Sequence, residues 1–164
     1  MEEKLSHFDE KTGRAKMVDV GGKQDTTRIA ITRSILKISA KLVEILASGS
    51  LEKGDAFTVA KTAGILAAKQ TGQLIPMCHP LSLDCVNIEI ELLPDRQEIR
   101  IEAEAKTTGK TGVEMEALVA ASVAGMTVYD MCKAVDKGIQ IVKTGLFRKT
   151  GGKSGEYCNP EMEW

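Results

Sequence analysis

The strongest regularity in the chain lies between Val86 and Ala105. Val86, Ile88, Ile90 and Leu92 alternate with Asn87, Glu89 and Glu91; beyond Pro94-Asp95-Arg96-Gln97 the alternation resumes, with Ile99, Ile101, Ala103 and Ala105 set against Glu98, Arg100, Glu102 and Glu104. A period of two on both sides of a turn-forming tetrad predicts a β-hairpin with one dry face and one wet face. Upstream, Thr26 to Leu36 is rich in β-branched residues and sets Ile29, Ile31 and Ile35 on one side, which predicts another strand. Ser39 is placed to cap a short helix to about Ala47, with Leu42, Val43, Ile45 and Leu46 as its apolar stripe and Gly49 as its stop. Asp55 is placed to cap a second helix, Phe57 to Gln70, whose Ala60, Ala63, Gly64, Ala67 and Ala68 permit close packing before Gly72 ends it. Thr111 and Glu114 have capping-box spacing at the start of a long helix to about Val135, smooth with Ala117, Ala120, Ala121, Ala124 and Gly125. Ile139 to Leu146 supplies a last strand. Strand, helix pair, strand, strand, helix, strand is the split β-α-β-β-α-β order. The expected fold class is α+β, a two-layer sandwich with a ferredoxin-like antiparallel sheet and helices packed on one face.

No repeat or linker divides the chain, so residues 1–164 are expected to form one domain, with residues 1–14 as a flexible arm. With 22 Lys+Arg against 23 Asp+Glu, the protein has no global positive field to hold a polyanion, and 4% aromatic content leaves few platforms for stacking bases. A generic nucleic-acid binder is therefore disfavoured. No run of about 18 apolar residues and no leader pattern is seen, so neither a membrane partner nor secretion is expected, and the cytoplasm is the expected compartment. Cys78, Cys85, Cys132 and Cys158 lack metal or cluster spacing and read as free thiols.

Charge is unevenly distributed. Residues 89–104 hold six acids (Glu89, Glu91, Asp95, Glu98, Glu102, Glu104) and two bases (Arg96, Arg100), as a solvated outer sheet face would. Between Lys133 and Lys153 there are six bases (Lys133, Lys137, Lys143, Arg148, Lys149, Lys153) and one acid, Asp136. That run is either a solvated basic tail or a phosphate site, the latter helped by the amides of Gly151-Gly152-Lys153-Ser154-Gly155. It is no P-loop, because Phe147 stands where the first glycine belongs. Asp130 and Lys133, three apart on the long helix, form either a plain surface ion pair or, if partly buried among Val128, Met131, Ala134 and Val135, an acid–base couple. Spacing makes Glu114 a cap and leaves Glu116 to face a ligand. Pro76-Met77-Cys78-His79-Pro80-Leu81 fixes a histidine between two prolines, which suits a binding loop, although a lone histidine is more often structural and Cys78 reads as a buried thiol.

Taken together, Cys78-His79-Pro80-Leu81, Lys110 to Ala117 (KTGVEMEA), Thr127 to Val135 (TVYDMCKAV), Gly151 to Gly155 (GGKSG) and Met17-Val-Asp-Val20 resemble the cyclic pyranopterin monophosphate synthase family of molybdenum cofactor biosynthesis. The resemblance implies a lyase that rearranges 3',8-cyclo-7,8-dihydroguanosine 5'-triphosphate into cyclic pyranopterin monophosphate and releases pyrophosphate. It implies Asp130 and Lys133 as the catalytic pair, and Met77, Cys78, His79, Glu114, Met115, Glu116, Arg28, Lys53, Lys69 and Lys149 as substrate contacts. It also implies a homohexamer, a trimer of dimers with sites at subunit boundaries, and no tightly bound cofactor beyond Mg2+ accompanying the triphosphate. An RNA- or ligand-binding module on the same fold, or a structural assembly subunit, are the rival expectations.

Overall fold

The computed structural model describes Phe8–Asp9 and residues 12–164. Most of the arm expected at residues 1–14 lies outside them; within it, β1 (Phe8–Asp9) pairs antiparallel with β2 (Arg14–Ala15). The main sheet is built from β3 (Thr26–Lys37), β4 (Cys85–Leu93), β5 (Glu98–Gly109), β6 (Gln140–Thr150) and β7 (Tyr157–Cys158), in the order β4-β5-β3-β6-β7 with every neighbour antiparallel. Helices α1 (Ala40–Ser48), α2 (Ala56–Leu74) and α3 (Glu114–Cys132) cover one face. This is the expected α+β two-layer fold.

The caps explain where the first two helices begin. The Ser39 hydroxyl accepts from the Leu42 amide and the Asp55 carboxylate from the Phe57 and Thr58 amides, while Gly49 at φ +66° closes α1. Gly72, however, does not stop α2, which runs on to Leu74. A Cβ there would lie 3.1 Å from the Pro80 Cα, so this glycine serves the close approach of the 79–80 backbone. The capping box is not formed either: Val113 occupies the cap position of α3, without a side-chain bond, and α3 ends at Cys132 rather than Val135. β6 runs four residues beyond the expected Leu146, carried along β3 by two register shifts, so Arg148 and Lys149 sit on a strand and the glycine run turns into β7.

The three isoleucines of β3 share one side, as expected, but that side is not the core. The strand's buried residues are Ala30, Thr32, Ser34 and Leu36, while Ile29, Ile31 and Ile35 face the other way. Period two predicts that alternate residues share a face, but not which face is covered. Here the small residues are inside because α3 lies low on the sheet, its Ala117, Ala120, Ala121 and Ala124 fully buried above Ala30, Ala103 and Ala105. Although α3 is long and apolar enough, by length and composition, to cross a bilayer, this burial identifies it as a core helix. Part of the outer face is covered by Met162 and Trp164. Met162 fills the niche over Gly145, and the Arg33 guanidinium lies between the rings of Phe147 and Trp164 while bonding Glu102 at 2.7 Å.

Candidate active site

The path from α2 back to the sheet runs through Met77, Cys78 and His79, and it meets the first turn of α3, Glu114 to Glu116, around a cavity of about 420 Å³. Val18, Val20 and Lys23 form its third wall. Two acids at the start of α3 face the positive end of the helix dipole, where carboxylates are favoured. Glu116 is only 4% exposed, and desolvation, with a smaller push from the Glu114 charge, raises its carboxyl above the usual range. Burial and the neighbouring Glu116 charge raise the Cys78 thiol as well, so it is no activated nucleophile here. His79 Nε2 donates to the Val18 carbonyl at 2.8 Å.

Cations border the same end of α3. Lys149 Nζ bonds Glu114 at 2.9 Å, drawing that carboxylate away from the cap geometry its spacing suggests. Arg28 donates from Nε to the Gly109 carbonyl at 3.0 Å and from Nη2 to the Lys110 carbonyl at 3.2 Å. Its guanidinium abuts Gly152, where a Cβ would lie 2.2 Å from Nη1. The glycine run is thus required first by this contact and by the positive φ of Gly151 and Gly152. Lys69 lines a smaller hollow, about 150 Å³, that shares Leu81 and Glu116 with the main cavity.

Three residues lie elsewhere. Lys53, in the loop between α1 and α2, reaches the Asp130 carbonyl at 2.9 Å, and Lys133 Nζ meets Asp130 Oδ1 at 2.7 Å. The burial expected of this pair is not found: the Asp130 and Lys133 side chains are 61% and 49% exposed, because α3 ends beside them and no element covers it there. Each holds the other in its charged form, the Lys133 hydrogen bond lowering Asp130 and Asp130 raising Lys133. Along α3, Asp130 is about 21 Å from Glu116 at 1.5 Å per residue. One chain therefore presents two separate clusters, one at each end of the same helix.

Val18, Val20 and Lys23 line the cavity but carried no chemical signal in the sequence; Val18 and Val20 stood out only within the Met17 to Val20 motif, and Lys110 only as the first residue of the Lys110 to Ala117 motif. Among the described residues no group of three or more His, Cys, Asp or Glu is placed to hold a metal ion.

A two-layer α+β chain that gathers acids, a histidine and cations around one cavity belongs to the class of small-molecule enzymes. Residues 17–152 match the model of the MoaC family, and the chain belongs to that family. It is 52% identical to the cyclic pyranopterin monophosphate synthase of Peptoclostridium acidaminophilum, over 93% of this chain and 96% of that one. It is 53% identical to the synthases of that name from Desulfitobacterium hafniense, over 96% and 95% of the two chains, and Geobacillus thermodenitrificans, over 93% and 95%.

Proposed function

We propose that this chain is a lyase of molybdenum cofactor biosynthesis, converting 3',8-cyclo-7,8-dihydroguanosine 5'-triphosphate into cyclic pyranopterin monophosphate with release of pyrophosphate in the cytoplasm. The observation that carries this reading is the likeness, at about half identity and over nearly the whole length, to synthases of that name. The geometry supports it. The cavity offers carboxyl, imidazole and apolar groups for a heterocycle, while Arg28, Lys69 and Lys149 border it as cations for phosphates. Closing the cyclic phosphate requires a sugar hydroxyl to attack the α-phosphorus as the α–β anhydride bond breaks, and neutralised pyrophosphate is the leaving group. Mg2+ enters this scheme with the triphosphate as its counter-ion rather than in a protein cage.

Lys133 and Asp130 act as coupled acid and base in ring opening and rebuilding, Lys133 as the first donor. They reach the substrate from a second copy of the chain. A two-fold axis across the middle of α3 sets opposite ends side by side, bringing Lys53, Asp130 and Lys133 of one copy to Glu114 and Glu116 of the other. The helical layer has an apolar surface for this pairing: Met126 and Tyr129 on α3 and Val59 and Leu66 on α2 are all exposed. Three such dimers make a homohexamer. The RNA-binding rival finds no support, since the strands of the outer face carry Glu89, Glu91, Glu102 and Glu104, and the Phe147 and Trp164 rings are engaged with Arg33.

The test supplies the cyclised triphosphate and measures pyrophosphate and pterin. Lys133→Ala is expected to lower kcat by about 100-fold or more, as for loss of a general acid; unchanged turnover removes the catalytic assignment.

A further inference from the structure

Between β2 and β3 the chain forms neither helix nor strand, yet it makes one wall of the cavity. Val18 and Val20 are half-buried against it, while Asp19 between them points outward. The segment is shaped by its own short-range bonds. The Gly21 amide donates to Asp19 Oδ1 at 2.8 Å and the Lys23 amide to the Val20 carbonyl at 3.1 Å, a turn that leaves Lys23 on the cavity wall.

Among the described residues, two side chains of the body reach over to this segment's backbone. One is His79, through the Val18 carbonyl; the other is Lys110, whose Nζ donates to the Gly21 carbonyl at 2.9 Å. Lys110 is suited to such a task because its own backbone is fixed: Arg28, wedged against Gly152, holds the carbonyls of Gly109 and Lys110. The ammonium thus projects from a rigid pivot, four residues ahead of Glu114, onto a segment with no ladder of its own. Among the described residues the body holds this segment by one exposed bond, from Lys110, and one part-buried bond, from His79, and a segment with so few ties belongs to the part of a fold that opens first.

We propose that Met17–Lys23 is a strap that opens and closes the cavity, and that Lys110 is the positioning residue that latches it shut. Closed, the strap excludes water from the cavity and holds Lys23 against a bound anion; released, it lets substrate in and product out. This rests on the cavity being the substrate site.

The experiment compares native protein, Lys110→Met and Lys110→Arg in two readouts. Hydrogen exchange of residues 17–23, without substrate, is expected to be faster in Lys110→Met and near native in Lys110→Arg, which keeps a charged donor. With the cyclised triphosphate, Lys110→Met is expected to raise KM about tenfold, the loss of one charge-assisted bond, while kcat stays within about twofold. Unchanged exchange and KM in Lys110→Met overturn the latch, as does a fall confined to kcat. If native protein fails to turn over this substrate while the exchange difference persists, the proposed activity falls and the latch stands.

Discussion

Glu116 shows how far a single residue can be read from sequence and where that reading stops. Its position outside the capping box marked it as facing a ligand, and it does line the cavity. Its burial came from neighbours distant in sequence, the 78–81 loop and α2, and so was not legible. The consequence is a pH effect of definite sign. A carboxyl whose folded pKa lies above its unfolded value binds more protons in the native state, so stability falls as pH rises from the unfolded value through the folded one. Glu116→Gln removes the penalty of a buried charge while keeping the shape. It is expected to stabilise the protein near neutral pH by on the order of 1 kcal/mol, with the gain vanishing below about pH 4. Thermal unfolding of both proteins across pH 3.5 to 8 (roughly the span between the two limits) checks this; a gain that persists at the acid end assigns the effect to something other than ionisation. Asp130 and Lys133 teach the converse. Their i, i+3 spacing left a plain surface ion pair and a partly buried acid–base couple both open, and nothing local revealed that the helix end beside them stands open to solvent.

Among the elements, the alternating hairpin and the capped α1 and α2 were legible because their signals are local: period two, a turn tetrad, Ser39, Gly49 and Asp55. What failed was set by contacts between elements. Lys149 on β6 takes Glu114 out of its box, and Pro80 explains a Gly72 that otherwise reads as a stop. Gly64 belongs with these. It lies mid-helix, where glycine is unfavourable by about 1 kcal/mol against alanine, so intrinsic propensity alone favours Gly64→Ala. The packing opposes it: a Cβ would lie 2.4 Å from Ile88 Cδ1 and 2.8 Å from the Ala120 carbonyl, against both the sheet and α3. Because the second of these is backbone, a rotamer change cannot relieve it, and the helices must separate. The substitution is expected to destabilise by about 1–3 kcal/mol despite the better propensity. Urea denaturation decides, since a rise in midpoint means that α2 and α3 can part at little cost.

At the scale of the whole molecule, the motifs named the candidate residues but concealed their division into two clusters, because adjacency in a motif says nothing about which end of α3 a residue occupies. The division has an arithmetical consequence if each site combines the amino-terminal end of one α3 with the carboxy-terminal end of another. Lys133→Ala disables the second kind of end and Glu116→Gln the first, so either homo-oligomer is expected to be nearly inactive. Dissociated and reassociated in equal amounts, the two variants form mixed pairs in about half of the dimers. In a mixed pair one site receives both defective ends and the other receives neither. The mixture is therefore expected to recover about a quarter of native turnover, with the KM of the native protein, since the restored sites are native in every contact. A site built within one chain gives no such recovery, because every chain then carries its own defect; a mixture as inactive as its components separates the two-fold site from any single-chain arrangement.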